Sequence, residues 1–543
     1  MDRRKFIKGA AAAGALAAFG WRNDLFAASP SGLVLTKVTP NEQKIAEAVL
    51  SYAKSTGATY CDVRISRYKS QSVGVRDRIV TGASDSDSYG IGIRLIKNGT
   101  WGFAATRSVT EAEAKLAVDA ATAIATANSK LRSAPLELTP VTAITAEWAT
   151  PIKKNPFDIS FKDRAQFLLN VHDIALKTNV NGNKIFVESH MEAVREEKFF
   201  ASSDGSRIWQ EITRINPNSY LTVSDKTSGQ FASRALFVSP QGRGFEYVEE
   251  YPYNKEIEAA ANDAHEKITA KSVEPGKYDL ILHPTHLWLT IHESIGHPTE
   301  LDRALGFEAN FAGTSFCTPD TLGDRYASNE VTVVADRTQE GALATAGYDD
   351  DGVPTTEYPI VQDGKFVAFQ TTREIAPLVG DKTSHAESYA QGWWNVPFQR
   401  MPNVSLKPGK KQLSLDQLIA DTERGILIKG NSSFSIDQQR YNFQFTGQVT
   451  YAIENGKIKH MLRDVAYQSK TPEFWKDCDA VCDKSEYMLG GSMYDGKGEP
   501  MQTNPVSHGC PPARFTDINV INTKAQSARS RTGMLEFDMD HRH

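Results

Sequence analysis

The first part of the chain combines two hydrophobic periods. In one stretch apolar residues recur three and four positions apart, which predicts a helix capped by Asn41 and ended by Gly57. Residues 60–77 and 89–106 instead alternate apolar and polar side chains. They predict antiparallel strands, with "KNGT" at residues 97–100 as a hairpin turn. The pattern therefore indicates a unit of helices and sheet near the start of the chain.

Further helices and strands follow up to residue 270. Helical spacing predicts helices over residues 110–130, 161–178 and 254–270, with several strands between the last two. The Pro-rich stretch from Pro135 to Pro156 indicates a linker. We expect these elements to form an N-terminal α+β domain over residues 40–270.

The remaining chain has a different pattern. Beyond Leu301 it consists mostly of short strands separated by Gly, Asp and Asn turns, with one helix near Leu413 to Glu423. Since 543 residues are too many for one ordinary core, a second domain is expected. We place this β-rich domain at residues 275–543. The fold class is α+β with abundant antiparallel sheet.

Composition narrows the class of protein. Hydrophobic residues make up 40% of the chain and charged residues 23%, which is typical of a soluble globular protein. The net charge is −5, without the basic excess that usually accompanies binding to a nucleic acid backbone. We therefore expect no nucleic acid partner.

The N-terminus resembles an export signal. "MDRRKFIKGAAAAGALAAFG" has a charged start and a short alanine-rich run that is too short to span a bilayer. Arg3 and Arg4, followed by Phe6 and Lys8, resemble the twin-arginine signal. We interpret residues 1–28 as a signal peptide and expect an exported, periplasmic protein with no stable membrane span. The alternative is an uncleaved amphipathic anchor.

The chain has five cysteines, an odd number that is also low for this length, which argues against a disulfide scaffold. Cys478 and Cys482 lie four apart in "DCDAVC". They could share a helix face, pair in an oxidising compartment or bind a metal, or they could belong to ordinary local structure.

The stretch "IHESIGHPTE", residues 291–300, nearly matches the zinc-protease signature H-E-x-x-H but has one residue too many. It lies on a helix that is apolar on most sides, where Glu293 is costly unless it is paired, bonded or near a metal. Residues four apart on a helix differ in direction by about 40°, whereas His292 and His297, five apart, differ by about 140°. A regular helix therefore cannot present both histidines to one metal.

A shared metal requires the helix to be widened or broken between Ser294 and His297. Gly296 permits unusual backbone, Pro298 biases His297 away from helical angles, and a π-bulge is the expected device. Two neutral histidines and a third ligand would hold zinc, and Glu293 would be the general base that takes a proton from the bound water. The alternative is two histidines beside a helix end.

A competing motif is weaker. "GSMYDGKG", Gly491 to Gly498, nearly matches a P-loop but has Gly498 where Ser or Thr must bind magnesium. His283 and His286 flank Pro284 near the helix start and are interpreted as structural residues.

Several segments together resemble the TldD/PmbA metalloproteases, on the TldD side. They run in the order of that family: "VRD…TGASDSDSYGIGIRLIKNGTWGFAAT", "HESIGHPTE", "GYDDDGVPT", "RMPNVSLKPG" and "DGKGEPMQTNPVSHGCPP". The resemblance implies a two-domain architecture, with an N-terminal sheet and helices and a mostly antiparallel C-terminal β domain that carries the helix of the metal site.

The resemblance also implies the metal ligands, with one departure. In the family a cysteine directly before G-K is the third ligand, and here that position is Asp495. The expected metal site is therefore His292, His297 and Asp495, with Cys510 or no third protein ligand as alternatives. Zinc is the expected cofactor, although a carboxylate ligand shifts the preference toward harder divalent metals.

The activity implied by the resemblance is hydrolysis of unfolded or extended peptides. The implied assembly is a homodimer, or a heterodimer with a TldE/PmbA-like subunit. The alternative function is a catalytically silent subunit that binds peptide and partners an active protomer.

Overall fold

Seven strands form one sheet in the N-terminal half of the molecule. They are β1 (Tyr60–Arg76), β2 (Ile79–Lys97), β3 (Thr100–Thr106), β4 (Thr145–Ala149), β5 (Lys184–Ser202), β6 (Arg207–Ser224) and β7 (Phe231–Ala235). The computed structural model describes residues 35–131 and 135–524. The sheet order is β3-β2-β1-β5-β6-β4, and β7 also pairs with β6.

The predicted hairpin is confirmed, but its first long strand begins earlier than expected. Asn98 and Gly99 both have positive φ, as a tight turn between β2 and β3 requires. β2 starts at Ile79 rather than near residue 89 and pairs with β1 along its whole length. Residues 79–87 are exposed, so this part of the strand carries no apolar face that a sequence pattern would reveal.

Five helices accompany this sheet: α1 (Pro40–Ser55), α2 (Glu111–Asn128), α3 (Phe161–Lys177), α4 (Glu246–Glu250) and α5 (Tyr253–Thr269). The four predicted helices are confirmed as α1, α2, α3 and α5. The predicted cap at Asn41 is wrong. Thr39 caps α1 in a reciprocal capping box with Glu42, because its side chain accepts from the Glu42 N–H while Glu42 accepts from the Thr39 N–H.

The segment from Pro135 to Pro156 is not a simple linker. It contains β4, which runs parallel to β6 from the Thr145–Arg207 pair onward. This strand has only five residues and lies between prolines, so its alternation of apolar and polar side chains is too short to predict a strand. This correction places the segment on the edge of the N-terminal sheet.

Sixteen strands follow in the described C-terminal half. They are β8 (Lys271–Ser272), β9 (Gly276–Leu282), β10 (Val333–Asp336), β11 (Glu357–Gln362), β12 (Lys365–Phe366), β13 (Ser388–Tyr389), β14 (Phe398–Gln399), β15 (Val404–Leu406), β16 (Arg424–Ile436), β17 (Asn442–Glu454), β18 (Lys457–Arg463), β19 (Val465–Lys470), β20 (Cys478–Val481), β21 (Met488–Lys497), β22 (Gln502–Cys510) and β23 (Ala513–Asn522). Five of them, β16, β9, β23, β19 and β17, pair in a closed ring in which only β9 and β16 are parallel.

The helices of this half are short: α6 (Pro284–Ile291), α7 (Leu301–Ala304), α8 (Leu415–Ala420) and α9 (Thr471–Lys476). The helix predicted near Leu413 to Glu423 is confirmed as α8. α6 leaves β9 directly and packs against β16 and the β21–β22 hairpin. Its apolar residues Leu287 and Ile291 join the largest buried cluster, with Leu280 of β9 and Phe445 of β17. The α+β class and the β-rich C-terminal domain are confirmed.

Two other sequence expectations are resolved by the fold. The P-loop-like segment Gly491–Gly498 lies largely in β21, an antiparallel strand, and no helix follows it to receive a phosphate. Cys478 and Cys482 are buried free thiols in and beside β20, so neither the helix face nor a disulfide is present.

No helix among residues 35–131 and 135–524 is long and apolar enough to cross a membrane. The predicted signal peptide, residues 1–28, lies outside the described residues.

Candidate metal centre

The helix that carries the histidines widens as the spacing requires. α6 ends at Ile291 and continues as a π-helix over His292–Gly296, followed by a 3-10 turn over His297–Thr299. The rings of His292 and His297 lie with their centroids 4.5 Å apart. The predicted widening is confirmed, because the longer turn brings residues five apart onto one side.

The roles expected for Gly296 and Pro298 are wrong. Gly296 and His297 both have right-handed helical angles, so neither unusual glycine backbone nor an extended residue before proline is used. Gly296 instead leaves room for the buried side chain of Met401, because a Cβ there would lie 2.5 Å from Met401 Sδ.

Asp495 on β21 meets both histidines. Its Oδ1 lies 3.5 Å from His292 Nε2 and 3.5 Å from His297 Nε2, and all three side chains are buried. Ligand atoms bound about 2.0–2.1 Å from a tetrahedral zinc ion lie about 3.3 Å from one another. The two distances from Asp495 Oδ1 to the histidine nitrogens are therefore close to the spacing that zinc imposes.

Hydrogen bonds orient His292. His508 Nδ1 lies 2.8 Å from the carbonyl oxygen of Val404, which can only accept, so this nitrogen carries a proton. Burial and the neighbouring His292 lower the pKa of His508 far below its usual value, so its Nε2 holds a lone pair. That nitrogen lies 2.8 Å from His292 Nδ1 and accepts its N–H. The Nε2 lone pair of a neutral His292 is thereby directed at Asp495.

A carboxylate likewise holds the proton of His297 on Nδ1 and leaves the lone pair on Nε2. His297 Nδ1 donates to Glu300 Oε2 at 2.9 Å. The pKa of Glu300 lies below its usual range, because Lys497 and other positive neighbours outweigh the effect of burial. Lys497 Nζ donates to Glu300 Oε1 at 3.1 Å and to Asp302 at 2.8 Å. Such outer carboxylates are typical partners of metal-binding histidines.

The Asp495 carboxylate is held on its far side. Arg400 donates to Oδ2 at 3.3 Å and also to the backbone oxygen of Asp495, which leaves Oδ1 facing the histidines. Burial raises the pKa of Asp495, but the charges of His297, His292 and Arg400 outweigh it and hold the pKa well below 3.8. Asp495 is therefore a carboxylate in the folded protein.

The two histidines differ in proton affinity. Burial lowers the pKa of His297 to about 4. Burial also lowers the pKa of His292, but the carboxylates of Asp495 and Glu293 together outweigh burial, so the net shift is upward. A metal cation would compete with that proton for the same lone pair. With both imidazoles neutral, two nitrogen lone pairs and a carboxylate oxygen converge with no N–H or O–H among them, and this donor set fits a divalent metal.

Glu293 completes the cluster. Ligand atoms of His292, Glu293 and His297 lie within 4.8 Å of one another, and within the described ranges no cysteine belongs to this group. Cys510 instead contacts the carbonyl oxygen of Pro284. Glu293 could occupy the third position, but one of its oxygens accepts from Arg440. Asp495, equidistant from both histidines, has the better geometry.

Four residues of this centre were not assigned a role from the sequence: Glu300, Arg400, Arg440 and His508. Glu300, Arg400 and His508 stand inside the motif segments "HESIGHPTE", "RMPNVSLKPG" and "DGKGEPMQTNPVSHGCPP", which was the only available signal. Arg440 lies in the turn between β16 and β17, outside these segments, and only the fold brings it here.

The PmbA/TldA metallopeptidase C-terminal domain matches residues 275–522, and PmbA/TldA metallopeptidase domain 1 matches residues 61–125. A metalloprotease of Methanocaldococcus jannaschii is 29% identical over 443 residues, which are 81% of this chain and 94% of the relative. A zinc metalloprotease TldD homolog of Saccharolobus solfataricus is 22% identical over 476 residues, 86% of this chain and 98% of the relative.

A solved structure, TldE from Thermococcus kodakarensis, shares the fold with a TM-score of 0.66 and 18% identity, over 88% of this chain and 99% of that one. The two matched domains together cover more than half of the chain, in the order that the sequence motifs predicted. The chain belongs to the TldD/PmbA family of metallopeptidases.

Proposed function

We propose that this protein is a metal-dependent peptidase, with zinc as the metal, that hydrolyses unfolded or extended peptides. His292, His297 and Asp495 are the proposed ligands and Glu293 the general base. The observation that carries the proposal is that Asp495 Oδ1 lies 3.5 Å from Nε2 of both His292 and His297, beside the buried carboxylate of Glu293.

The chemistry follows from the position of Glu293. Zinc in this site would lower the pKa of a bound water and polarise the scissile carbonyl. Glu293 would take the proton from that water and pass it to the leaving amine. Its place beside His292, on the same π-helix, keeps it within a few ångströms of both histidines.

A cleft between the two halves is consistent with a peptide substrate. It has a volume of about 610 Å³ and lies between β6 and β7 of the N-terminal sheet on one side and α6, β16 and β21 on the other, and none of the proposed ligands lines it. Trp288, one helical turn before His292, and Tyr494, next to Asp495, line it. A groove between the two halves suits an extended chain better than a folded one.

The first test is metal analysis of the purified full-length protein and its variants. Near-stoichiometric zinc in the wild type, lost in His292→Ala, supports the metal site. Glu293→Gln should keep the metal and lose hydrolysis of fluorescently labelled casein. Absence of metal after chelator-free purification, or full activity of Glu293→Gln, contradicts the proposal.

A silent peptide-binding subunit is the second candidate, favoured by Asp495 at the position of the family cysteine. It predicts peptide binding without metal or hydrolysis. Assembly is tested by light scattering of the protein alone and after co-expression with a TldE/PmbA-like subunit. We expect a homodimer or that heterodimer; a monomer in both samples contradicts the proposed assembly.

We also propose export through the twin-arginine route, supported by the Arg3-Arg4 motif. The protein should be found in the periplasmic fraction, and Arg3→Lys with Arg4→Lys should retain it in the cytoplasm. A cytoplasmic wild type would overturn this localisation.

A further inference from the structure

Arg440 contacts the proposed general base directly. It lies in the turn between β16 and β17, and its Nη1 donates to Glu293 Oε2. The Glu293 side chain is 6% exposed, and the Arg440 side chain is 15% exposed. The guanidinium is thus held beside the metal centre and still reaches solvent.

The turn fixes the backbone of Arg440. The Arg440 N–H donates to the Asp437 carbonyl at 2.9 Å, and the Arg440 carbonyl accepts from Thr471 Oγ1 at 2.6 Å. The carbonyls of Gln438 and Gln439 accept from a separate loop at 3.0 Å each. Arg440 itself has a φ of 62°, a left-handed conformation that is strained for a bulky side chain and persists where the surroundings enforce it. These contacts fix the backbone from which the Arg440 side chain reaches Glu293.

The charge of Arg440 acts on the whole centre. After burial, it is the largest cause that lowers the pKa of His297, and it also acts on His292. The negative charges of Glu293, Glu300 and Asp495 in turn raise the pKa of Arg440, against the effect of burial. Its positive charge therefore faces the place where the peptide bond would be cleaved.

The proposed reaction moves negative charge past this guanidinium. When water attacks, its proton goes to Glu293, a C–O bond forms, and the π pair of the carbonyl moves onto the carbonyl oxygen. Glu293 loses its charge in the step in which the substrate oxygen gains one. When the C–N bond breaks, the pair on oxygen re-forms the carbonyl and the proton on Glu293 goes to the amine.

We propose that Arg440 is a catalytic residue that donates to the carbonyl oxygen of the substrate as negative charge develops there, and that pairs with Glu293 between turnovers. This inference rests on the proposed peptidase function. Donors aimed at developing charge act in the transition state more than in the ground state, and removal of one costs about 10²–10³-fold in kcat.

The test compares Arg440→Met, Arg440→Lys and Arg440→Ala with Arg514→Met. Arg514 is a matched control, because its side chain is 11% exposed and ion-paired with Asp479, and both residues lie on the paired strands β23 and β20, outside the candidate metal centre. Zinc content and melting temperature are measured for every variant. Variants that keep both are assayed for kcat and KM on a peptide of defined sequence.

We expect kcat of Arg440→Met to fall about 10²–10³-fold with little change in KM. Arg440→Lys should be intermediate, and free guanidinium ion at low concentration should restore part of the activity of Arg440→Ala. Arg514→Met should keep wild-type kinetics. If Arg440→Met loses its zinc or unfolds, the rescue of Arg440→Ala and the kinetics of Arg440→Lys decide the question.

Unchanged kcat in zinc-loaded Arg440→Met overturns the inference and leaves the peptidase function intact. A rise in KM that disappears when the peptide's C-terminal carboxylate is amidated also overturns it, since Arg440 would then bind that carboxylate. A wild type without metal-dependent hydrolysis overturns the peptidase function itself, and with it the role of Arg440.

Discussion

His508 Nε2 lies 2.8 Å from His292 Nδ1, at the end of a hydrogen-bond chain that begins at a backbone carbonyl. The carbonyl fixes the proton of His508, and His508 fixes the proton of His292. The tautomer of a proposed metal ligand is thus set, through His508, by the backbone oxygen of Val404 at the start of β15.

Replacing His508 should weaken metal binding without removing a ligand. His508→Phe leaves the His292 N–H without its acceptor, so we expect the zinc dissociation constant to rise about 10–100-fold. His508→Gln, which keeps an acceptor oxygen, should lose less. His172→Phe is the control, because His172 is also buried and hydrogen-bonded but lies in the N-terminal half. Equal zinc affinities of His508→Phe and His172→Phe, by competition with a chelator, would contradict this role.

The carboxylate of Asp495 should make metal retention insensitive to oxidants. Asp495→Cys should still bind zinc, but peroxide would oxidise its thiolate and release the metal. The wild type should keep its zinc, because no cysteine belongs to the described metal-binding group and burial raises the pKa of Cys510 and the other thiols. Ser507→Cys, a buried cysteine outside the centre, controls for unspecific oxidation.

The same experiment includes Asp495→Ala, which should bind zinc far more weakly than wild type. Full zinc affinity in Asp495→Ala shows that Asp495 is not a ligand. If wild type and Asp495→Cys lose equal amounts of zinc under peroxide, the Asp495 carboxylate does not protect the metal from oxidative release.

Gly296 should tolerate no side chain unless Met401 becomes smaller. A Cβ at Gly296 meets Met401 Sδ at 2.5 Å, and such overpacking typically costs about 1–3 kcal/mol. Gly296→Ala should lower the melting temperature and the zinc affinity, and Met401→Ala in the same chain should restore part of both. Gly82→Ala is the control, since a Cβ there has no neighbour within 4 Å. An unchanged melting temperature in Gly296→Ala would show that the π-helix adjusts freely.

Glu196 should stabilise the contact between the two halves in a pH-dependent way. Burial raises its pKa, but Arg214 and Lys198 outweigh this and hold the pKa at about 2. Tyr389 of the C-terminal half donates to the same carboxylate at 2.9 Å. A depressed pKa gives stability that is present above the unfolded-state pKa of about 4.3 and is lost as pH falls toward 2.

The difference in melting temperature between wild type and Glu196→Gln should therefore be largest above pH 5 and shrink between about pH 4.3 and 2. Glu250→Gln, which removes an exposed ion pair with Arg243, should show little difference at any pH. If the difference in melting temperature between wild type and Glu196→Gln stays constant down to pH 2, the charge of Glu196 does not contribute to stability.

The sequence by itself determined the periodic elements and the histidine spacing. The four longest helices were predictable because each has a broad apolar face, and the widened helix was predictable because His292 and His297 are five residues apart. β4 and the first half of β2 were not predictable. The first is too short to show a period, and the second is exposed along its length.

The candidate metal centre was only partly determined by the sequence. The motifs singled out His292, Glu293, His297 and Asp495, but they could not show whether Asp495 reaches the histidines. Two hundred residues separate Asp495 from that helix, and only the packing of α6 against the β21–β22 hairpin brings the carboxylate to 3.5 Å from both imidazoles. Arg400, Arg440 and His508 converge for the same reason, since hydrogen bonds between distant strands depend on how the sheets close and not on local spacing.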